Sequence, residues 1–545
     1  MTSHVLQCGV IVAVLAFLAL QFPAAMTRLA GGIIRQLTWL ARRKTLCWIA
    51  VGAFVLLLRA ALLPVWPIPK PVIYDEFSYL LQADTFAHGR LATLTHPLWQ
   101  FFESIYVLQQ PSYASKYPPG QSLFMALGQV LFGHPWFGVW LSAGLMAAAL
   151  CWALQGWLPP RWALLGVAIA GQVCIIGYWM NSYWGGAAAA IGGALVVGSW
   201  PRIVRKGQVR YSWALAAGAV LLVLTRPYEG LLLLMPVLIA LLRRNRALAC
   251  WGPLMVVGIL GAAWLGYYNF RVTGSALRLP YQEYFSQYET TPPFNILPLA
   301  ASRHFRHFNL AYLDHGYALD LYQKSRSAAL LTSRPMDWYR ALKEILGDTV
   351  WLLPLIMMAP VLFQVRRTRP IMILFAVIVT GSLIEVPFFP HYGAPFTIVM
   401  LLAAVESLRA LQTWKYGGRR VGLFLVRALP AATLLVILGN DALLIARHQT
   451  SDAVQPINSH RGEMAQQLLE DHPGKHVIFV HYSGLQSPHE EWIYNPANID
   501  ESPVVWAQDM GADNQLLMNY YRDRSFWFLD PDQRPLLVTP YAAAH

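Results

Sequence analysis

The sequence predicts an all-α polytopic membrane protein that carries a small α/β domain at its C-terminal end. Three observations indicate this fold class. Hydrophobic residues make up 56% of the 545 residues and charged residues only 13%, a composition typical of polytopic membrane proteins rather than soluble globules. Long apolar runs recur along most of the chain. The C-terminal segment lacks such runs and alternates short apolar stretches with turns.

The apolar runs predict about twelve transmembrane helices, because a span needs roughly 20 apolar residues. Some runs are short, and 212–243 is interpreted either as two spans or as one broken unit. The runs lie near residues 5–24, 45–66, 134–157, 161–180, 185–203, 212–227, 229–243, 247–268, 346–365, 370–388, 391–410 and 421–446.

Basic clusters between the runs predict the orientation. With the N-terminus outside, every cluster falls on the cytoplasmic side, as the positive-inside rule requires. The net charge of +13 is therefore a topology signal, and we expect no nucleic-acid partner. The clusters are Arg28, Arg35 and Arg42 to Lys44; Arg202, Arg205 and Lys206; Arg243, Arg244 and Arg246; Arg366, Arg367 and Arg369; and Lys415, Arg419 and Arg420.

The first run is either an uncleaved anchor or a cleaved signal peptide with its small residues in "FPAAM". Signal peptides begin with basic residues, and here the basic residues follow the run instead, which favours the anchor. The chain then divides into an anchor with a basic segment (1–44), a membrane domain (45–446) with outer loops 67–133 and 269–345, and an outer domain (447–545).

The outer domain is predicted to contain three strands and a helix. "GKHVIFVHYSG", "SPVVWAQDMG" and "RSFWFLDPD" are typical of buried strands, and "NQLLMNYYRD" has helical spacing. The polar stretch "SPHEEWIYNPANID" is either a site or a structural loop, and the loop is favoured. The five cysteines lie in or beside apolar runs, which predicts neither a disulfide framework nor a thiolate metal site. They are Cys8, Cys47, Cys151, Cys174 and Cys250.

The stretch "YDEFSYLLQADTFAHGRL" places two adjacent carboxylates, Asp75 and Glu76, directly after a span. One interpretation is an amphipathic helix on the membrane surface, with the two acids favoured by the dipole at its N-terminal turn. The other is chemistry at the bilayer edge. The same loop collects further polar groups, namely Asp84, His88, Arg90, His96, Glu103 and Lys116, and we predict that His96, Glu103 and Lys116 bind the substrate.

Two further segments carry cations at the outer edge. In "SYASKYPPGQSLFMALGQVLFG", Lys116 precedes a Pro-Pro-Gly break and a predicted interfacial helix. Lys116 either snorkels to the interface or faces the same aqueous layer as Asp75. In "LTRPYEGLLLL", Arg226 and Glu229 either form a local ion pair or leave the guanidinium free to bind a phosphate as a bidentate fork.

Two outer turns, "MNSYWGG" and "FFPHYGAPF", are polar and aromatic. They form either an aromatic belt or part of a site, and their candidate substrate-binding residues are Asn181, Tyr183, Trp184, His391 and Tyr392. The histidines of 301–317 lack the spacing of metal ligands. We therefore predict no specific metal site, and a divalent cation stays possible.

Taken in order, these pieces resemble the GT-C superfamily of membrane glycosyltransferases. An Asp-Glu pair after a span, an amphipathic helix ending in Gly-Arg, a Lys-x-Pro-Pro element and a late "HYGAP" are similar to motifs of the protein O-mannosyltransferases and the lipid A aminoarabinose transferases. The resemblance covers roughly residues 45–410.

The resemblance implies transfer of a sugar from a polyprenyl-phosphate donor to an acceptor hydroxyl at the outer face of a bacterial inner membrane. The residue that matches the family's carboxylate, Asp75, acts as general base, and Glu76 is a second catalytic candidate that positions or caps. Lys116, Arg226, Arg271 and His391 are candidates to hold the phosphate. The acceptor is a glycan, a lipid or a protein.

The sequence departs from the family pattern in two places. His391 stands where an arginine is expected, and Gly120 replaces an apolar residue after the prolines. Two other functions stay open. A transporter or flippase usually carries midplane polar residues and internal repeats, which this sequence lacks. A polymerase or ligase would rely on loop 269–345 rather than on Asp75.

Overall fold

The computed structural model describes residues 2–21, 32, 35–243, 247–347, 349–446, 457–482 and 489–541. Several predicted features lie outside the described residues: the "FPAAM" stretch, Arg28, Arg244, Arg246, the start of the outer domain at 447–456, and residues 483–488 of the polar loop region.

Each of the twelve apolar runs contains a helix. The run at 161–180 is divided into two helices, α6 and α7, which meet at Ala170. The described helices are α1 (Thr2–Gln21), α2 (Lys44–Ala61), α3 (Tyr74–Ala87), α4 (Gly120–Phe132), α5 (Trp136–Trp157), α6 (Pro160–Ile169), α7 (Gly171–Ile175), α8 (Ala187–Val204), α9 (Ser212–Val223), α10 (Pro227–Arg243), α11 (Ala247–Thr273), α12 (Pro280–Tyr288), α13 (Phe308–Ala311), α14 (Leu319–Ser325), α15 (Leu330–Leu346), α16 (Leu352–Gln364), α17 (Arg369–Ser382), α18 (Thr397–Leu411), α19 (Val421–Ala446), α20 (Arg461–Asp471) and α21 (Asn514–Tyr520).

Five of the described helical segments are long and apolar enough to cross a membrane. Six shorter apolar helices accompany them, so the exact number of twelve spans stays a prediction. The five segments are Lys44–Ala61, Trp136–Trp157, Ala187–Val204, Leu248–Thr273 and Pro390–Leu411.

Helix α8 lies at the centre of the membrane domain, between α5, α9 and α18. Its small residues permit close approach, as is usual between membrane helices. At Gly193 an added Cβ would lie 1.9 Å from the carbonyl oxygen of Pro395, so only glycine allows this contact. The contact seats the 3₁₀ helix Pro390–Phe396, which contains the "HYGAP" element, directly on α8.

The outer layer contains two sheets. In the first outer loop, β1 (Thr93–Leu94), β3 (Ser112–Ser115) and β2 (Val107–Leu108) form an antiparallel sheet in that order.

The C-terminal domain contains β4 (Lys475–Val480), β5 (Val504–Gln508), β6 (Arg524–Leu529) and β7 (Val538–Pro540), in the order β5-β4-β6-β7. Strand β4 runs parallel to β5 and β6, and β7 is antiparallel to β6. The three strands and the helix predicted from sequence are all present.

The C-terminal domain packs on the first outer loop. The ring of Tyr494 lies 5.1 Å from that of Phe77 on α3, and the hydroxyl of Tyr113 on β3 donates to the carbonyl of Asn495. The described part of the polar stretch 487–500 therefore lies in the contact between the two domains, which is the structural role that the sequence favoured.

Candidate active site

Helix α3 carries the two adjacent carboxylates and is almost enclosed by protein. Ile73 is extended and is the N-cap residue of the helix, and the Glu76 side chain accepts from the Ile73 amide. Ten of its fourteen residues are buried. The interpretation of α3 as a helix lying on the membrane surface is therefore wrong, because the C-terminal domain covers the face that the sequence assigned to lipid or water.

The carboxylate of Asp75 is half-buried and accepts a hydrogen bond from the hydroxyl of Tyr117. Burial raises the pKa of Asp75 above its usual range, because desolvation disfavours the charged form. The Tyr117 hydrogen bond and the positive charges of Lys116 and Arg226 oppose this rise. The raised pKa makes Asp75 a stronger base than an ordinary aspartate, and the positive charges of Lys116 and Arg226 lie within electrostatic range of it.

Glu76 uses its carboxylate to hold backbone. Its Oε2 accepts from the amides of Val72 at 2.8 Å and Ile73 at 3.2 Å, and its Oε1 accepts from the amide of Tyr183 at 3.0 Å. Burial raises the pKa of Glu76 to about 7. These bonds tie the start of α3 to the turn before α8, so the structure supports the positioning role for Glu76 rather than direct chemistry.

Lys116 does not snorkel to the interface, because its side chain is 5% exposed. Its Nζ lies 2.7 Å from Oε1 of Glu289 and 3.2 Å from the centre of the Tyr106 ring. The rings of Tyr281 and Tyr284 lie 5.2 and 4.9 Å away. Burial lowers the pKa of Lys116, and the negative charge of Glu289 opposes this. The ammonium is thus a desolvated cation within an aromatic cage.

Arg226 lies between α9 and α10 and is also buried. Its Nη1 is 3.8 Å from Oε1 of Glu229, so the predicted local ion pair exists but is longer than a hydrogen bond. The guanidinium lies over the ring of Tyr392, 4.2 Å from its centre. This loose pairing leaves N–H donors for a further anion.

Gly120 explains one departure from the family pattern. Its amide donates to the carbonyl of Leu224 at 2.7 Å, and an added Cβ would lie 2.4 Å from the Thr225 side chain. A larger residue would push α4 away from the segment that carries Arg226. The Pro-Pro-Gly element therefore joins the Lys116 and Arg226 segments.

The two aromatic turns divide between the site and the scaffold. The ring of Trp184 lies 5.0 Å from that of His391, and the His391 ring lies 4.8 Å from that of Tyr392. The three rings therefore form a continuous row that begins under the guanidinium of Arg226. The Asn181 side chain instead accepts a hydrogen bond from Arg59 Nε and donates to the carbonyls of residues 175–177. The hydroxyl of Tyr183 donates to the carbonyl of Pro69. We therefore assign both residues to the scaffold.

Three other predicted binding residues lie elsewhere. His96 contacts Asp500 and Tyr521 of the C-terminal domain. Glu103 pairs with Arg306 at 2.8 Å and His307 at 3.2 Å, which joins the two outer loops. Arg271 is exposed near the C-terminal end of α11 and bonds Tyr267 on the same helix at 3.4 Å. Spacing in the sequence indicated no distance between these three residues and Asp75.

The sequence missed several residues of the site. Tyr117 and Glu289 contact Asp75 and Lys116 directly. Gln121, in the first turn of α4, is buried, and neither its amide oxygen nor its amide nitrogen has a partner in the described part of the chain. Tyr117 and Gln121 flank the Pro-Pro-Gly element, and that proximity was an available signal. Glu289 is 173 positions from Lys116, and no local pattern indicates it.

No group of three or more His, Cys, Asp or Glu side chains suited to a metal ion occurs among the described residues. Cys47, Cys151, Cys174 and Cys250 are buried, and none of them forms a disulfide among the described residues. The arrangement around Asp75 instead provides an acid–base group, two cations and an aromatic wall. These are the groups required to remove a proton from a hydroxyl and to stabilise an anionic leaving group.

The chain is similar in structure to ArnT from Cupriavidus metallidurans, a lipid A aminoarabinose transferase, in the apo state. The TM-score is 0.51 at 14% sequence identity, and the similarity covers 89% of this chain and 92% of ArnT. The chain has the GT-C fold. The chain is also similar to the structure of the same transferase bound to undecaprenyl phosphate. That similarity again covers 89% of this chain and 92% of ArnT, with a TM-score of 0.48 at 14% identity. No protein-family model and no curated protein sequence matches the chain.

Proposed function

We propose that this protein is a glycosyltransferase that moves a sugar from a polyprenyl-phosphate donor to an acceptor hydroxyl. One observation carries the proposal. A half-buried carboxylate, Asp75, lies within electrostatic range of two buried cations, Lys116 and Arg226, in a chain with the GT-C fold. The motifs that resemble GT-C enzymes supply two of these residues, and the "HYGAP" motif supplies Tyr392, on which Arg226 stacks.

In the proposed reaction, the acceptor oxygen attacks the anomeric carbon of the donor sugar. The bond from that carbon to the phosphate oxygen breaks, and polyprenyl phosphate leaves with the electron pair. Asp75 takes the proton from the acceptor hydroxyl, which makes the oxygen a better nucleophile. Lys116 and Arg226 stabilise the negative charge of the leaving phosphate.

Five other predicted residues that lie at the site take supporting roles in this proposal. Glu229 orients Arg226, and Trp184, His391 and Tyr392 line the surface next to the phosphate. Glu76 positions α3. The proposed location is a bacterial inner membrane, with the site and the C-terminal domain on the outer face. The acceptor is proposed to be a glycan, a lipid or a protein, and we assign no divalent cation a role in the reaction.

The test uses the purified full-length protein and a panel of radiolabelled polyprenyl-phosphate sugars. Asp75→Asn is expected to lower transfer or donor hydrolysis by roughly 10²- to 10⁴-fold, because it removes the base and keeps the shape of the side chain. Donor binding is expected to persist. Asp320→Asn, at an exposed Asp–Lys pair on α14, is the matched control. Full activity of a correctly folded Asp75→Asn variant would refute the assignment.

A further inference from the structure

A second group of buried charges lies beside the proposed phosphate site. It consists of Glu229 on α10, Glu385 in the loop after α17, Arg334 on α15, and Arg226 itself. Glu385 is 5% exposed and Arg334 is 3% exposed. The sequence analysis singled out neither of these two residues, and the proposed reaction does not use them.

The hydrogen bonds of this group are incomplete. Neither carboxylate oxygen of Glu385 has a partner among the residues that the structure describes, and the same holds for Nε and Nη1 of Arg334. Arg334 donates only through Nη2, which lies 2.5 Å from the backbone carbonyl of Glu385. The contact from Arg334 Nη1 to Asp337 is 3.8 Å, too long for a hydrogen bond.

Buried polar atoms without hydrogen bonds carry a desolvation cost. The backbone nevertheless fixes Glu385 in place. The amide of Asn295 donates to the carbonyl of Ile384 at 2.8 Å, and the amide of Val386 donates to the carbonyl of Pro293 at 3.0 Å. The unpaired carboxylate is therefore held in position by the second outer loop, which is typical of a binding group.

A ligand of this group would offer both donors and acceptors, because the group contains two carboxyl and two guanidinium side chains. A hydroxyl donates one hydrogen bond and accepts two, so a sugar with several hydroxyls satisfies both types of group. The position also fits. Tyr392 lies under the Arg226 guanidinium, its ring is 6.4 Å from that of Phe388, and the Arg334 guanidinium is 5.6 Å from the centre of the Phe388 ring. A phosphate held by Arg226 brings its attached sugar next to this group.

We propose that Glu385 and Arg334 bind the hydroxyls of the donor sugar and so help to determine which sugar is accepted. This rests on the proposed glycosyl transfer, since it extends the same site. The alternative is that these side chains form a hydrated structural cluster without a role in binding. Binding measurements distinguish the sugar site from such a cluster.

The test measures equilibrium binding to the purified full-length protein. The ligands are undecaprenyl phosphate, which has no sugar, and a panel of undecaprenyl-phosphate hexoses and pentoses. Glu385→Leu removes both acceptors at similar volume, and Glu385→Gln keeps hydrogen-bonding capacity. We expect Glu385→Leu to weaken the best sugar-bearing ligand by about tenfold or more, and undecaprenyl phosphate by less than about twofold. Glu385→Gln should bind the sugar-bearing ligand with intermediate affinity.

Three outcomes overturn the inference. Wild-type affinity of Glu385→Leu for the sugar-bearing ligand indicates a water-filled cluster. Equal weakening of both ligands indicates a role in the phosphate site or in folding. A wild-type protein that binds undecaprenyl phosphate but gains nothing from any sugar has no sugar subsite. These results differ from a failure of the proposed function itself, in which the wild-type protein binds neither kind of ligand and both proposals fall together.

Discussion

At the scale of single residues, the basicity of Asp75 depends on two opposing effects. Burial raises its pKa, and the hydrogen bond from Tyr117 is the largest effect that lowers it. A base must be ionised to accept a proton, so transfer activity should rise with pH through the pKa of Asp75. The position of that rise therefore reports directly on the Tyr117 contact.

Tyr117→Phe is predicted to move the rise in activity to higher pH. The substitution removes the donor that stabilises the charged form of Asp75, so its pKa increases further. The measurement is kcat/KM as a function of pH. Tyr322→Phe is the matched control, because it removes a buried hydroxyl that donates to the carbonyl of Leu297. An unchanged profile, or a shift to lower pH, contradicts the prediction.

A second residue-scale prediction separates the two arginines that the sequence proposed for phosphate binding. Arg226→Gln should weaken binding of undecaprenyl phosphate by about tenfold or more, since hydrogen bonds to charged groups contribute roughly 1.5–3 kcal/mol. Arg271→Gln should leave binding within about twofold, because Arg271 is exposed on α11, away from the buried charges. Equal effects of the two substitutions would show that Arg226 is not the selective anion-binding group.

At the scale of elements, helix α3 is held at both ends. Glu76 anchors its start. Near its end, Oδ1 of Asp84 accepts from Gln129 of α4 and Oδ2 accepts from the amide of Ala497 in the C-terminal domain, both at 2.8 Å. The orientation of Asp75 therefore depends on α4 and on the C-terminal domain, in addition to the span that precedes it.

Asp84→Ala is predicted to destabilise the protein by about 2 kcal/mol or more, because it leaves a backbone amide and a side-chain amide without their charged acceptor. Activity should fall with it, since α3 loses one anchor. Thermal unfolding and transfer assays provide the measurements. Asp320→Ala removes an exposed ion pair and should change stability by less than about 0.5 kcal/mol. Comparable losses in both variants would show that α3 does not depend on this anchor.

Sequence patterns predicted the helices and strands better than the contacts between them. Every apolar run contains a helix, and the strands of the C-terminal domain lie where alternation and turns placed them. The burial of α3 was missed, because its helical spacing suits either a membrane surface or a covering domain. The covering domain lies about 400 positions away in sequence, as the contact between Asp84 and Ala497 shows (413 positions).

At the scale of the whole molecule, sequence patterns likewise did not indicate which residues of the site lie next to one another. Asp75, Lys116 and Tyr392 came from segments that the family resemblance could assign, and Arg226 came from a charged turn at the end of a predicted span. Glu289, Glu385 and Arg334 belong to no local motif, and only the packing of the outer loops brings them close. A pattern of residue types indicates which face collects polar groups, but it does not indicate which of them meet.

The docking of the C-terminal domain onto the membrane domain provides the last prediction. His96 of the first outer loop lies 3.2 Å from Asp500 and 3.3 Å from the hydroxyl of Tyr521. Burial lowers the pKa of His96, although the charge of Asp500 opposes this. For Asp500, burial acts to raise the pKa, but the Tyr521 hydrogen bond and His96 outweigh it and the pKa is lowered.

Both shifts make the docked state less stable in acid. A histidine with a lowered pKa binds fewer protons when folded than when unfolded, so stability falls as pH drops below about 6.5. An aspartate with a lowered pKa adds stability above its unfolded value, and that stability is lost as pH falls through the folded pKa. Wild-type protein should therefore unfold at a lower temperature at pH 5 than at pH 7.

His96→Asn should reduce this dependence on pH, because asparagine keeps a donor near Asp500 and does not titrate. His88→Asn removes an exposed histidine next to Asp84 and should leave the dependence unchanged. Protease cleavage of the C-terminal domain at the two pH values measures the docking itself. If the domain is released equally at pH 5 in the wild type and in His96→Asn, the acid sensitivity arises elsewhere. If it is released only in the wild type, His96 couples the covering domain, and through α3 the position of Asp75, to the pH of the surrounding solution.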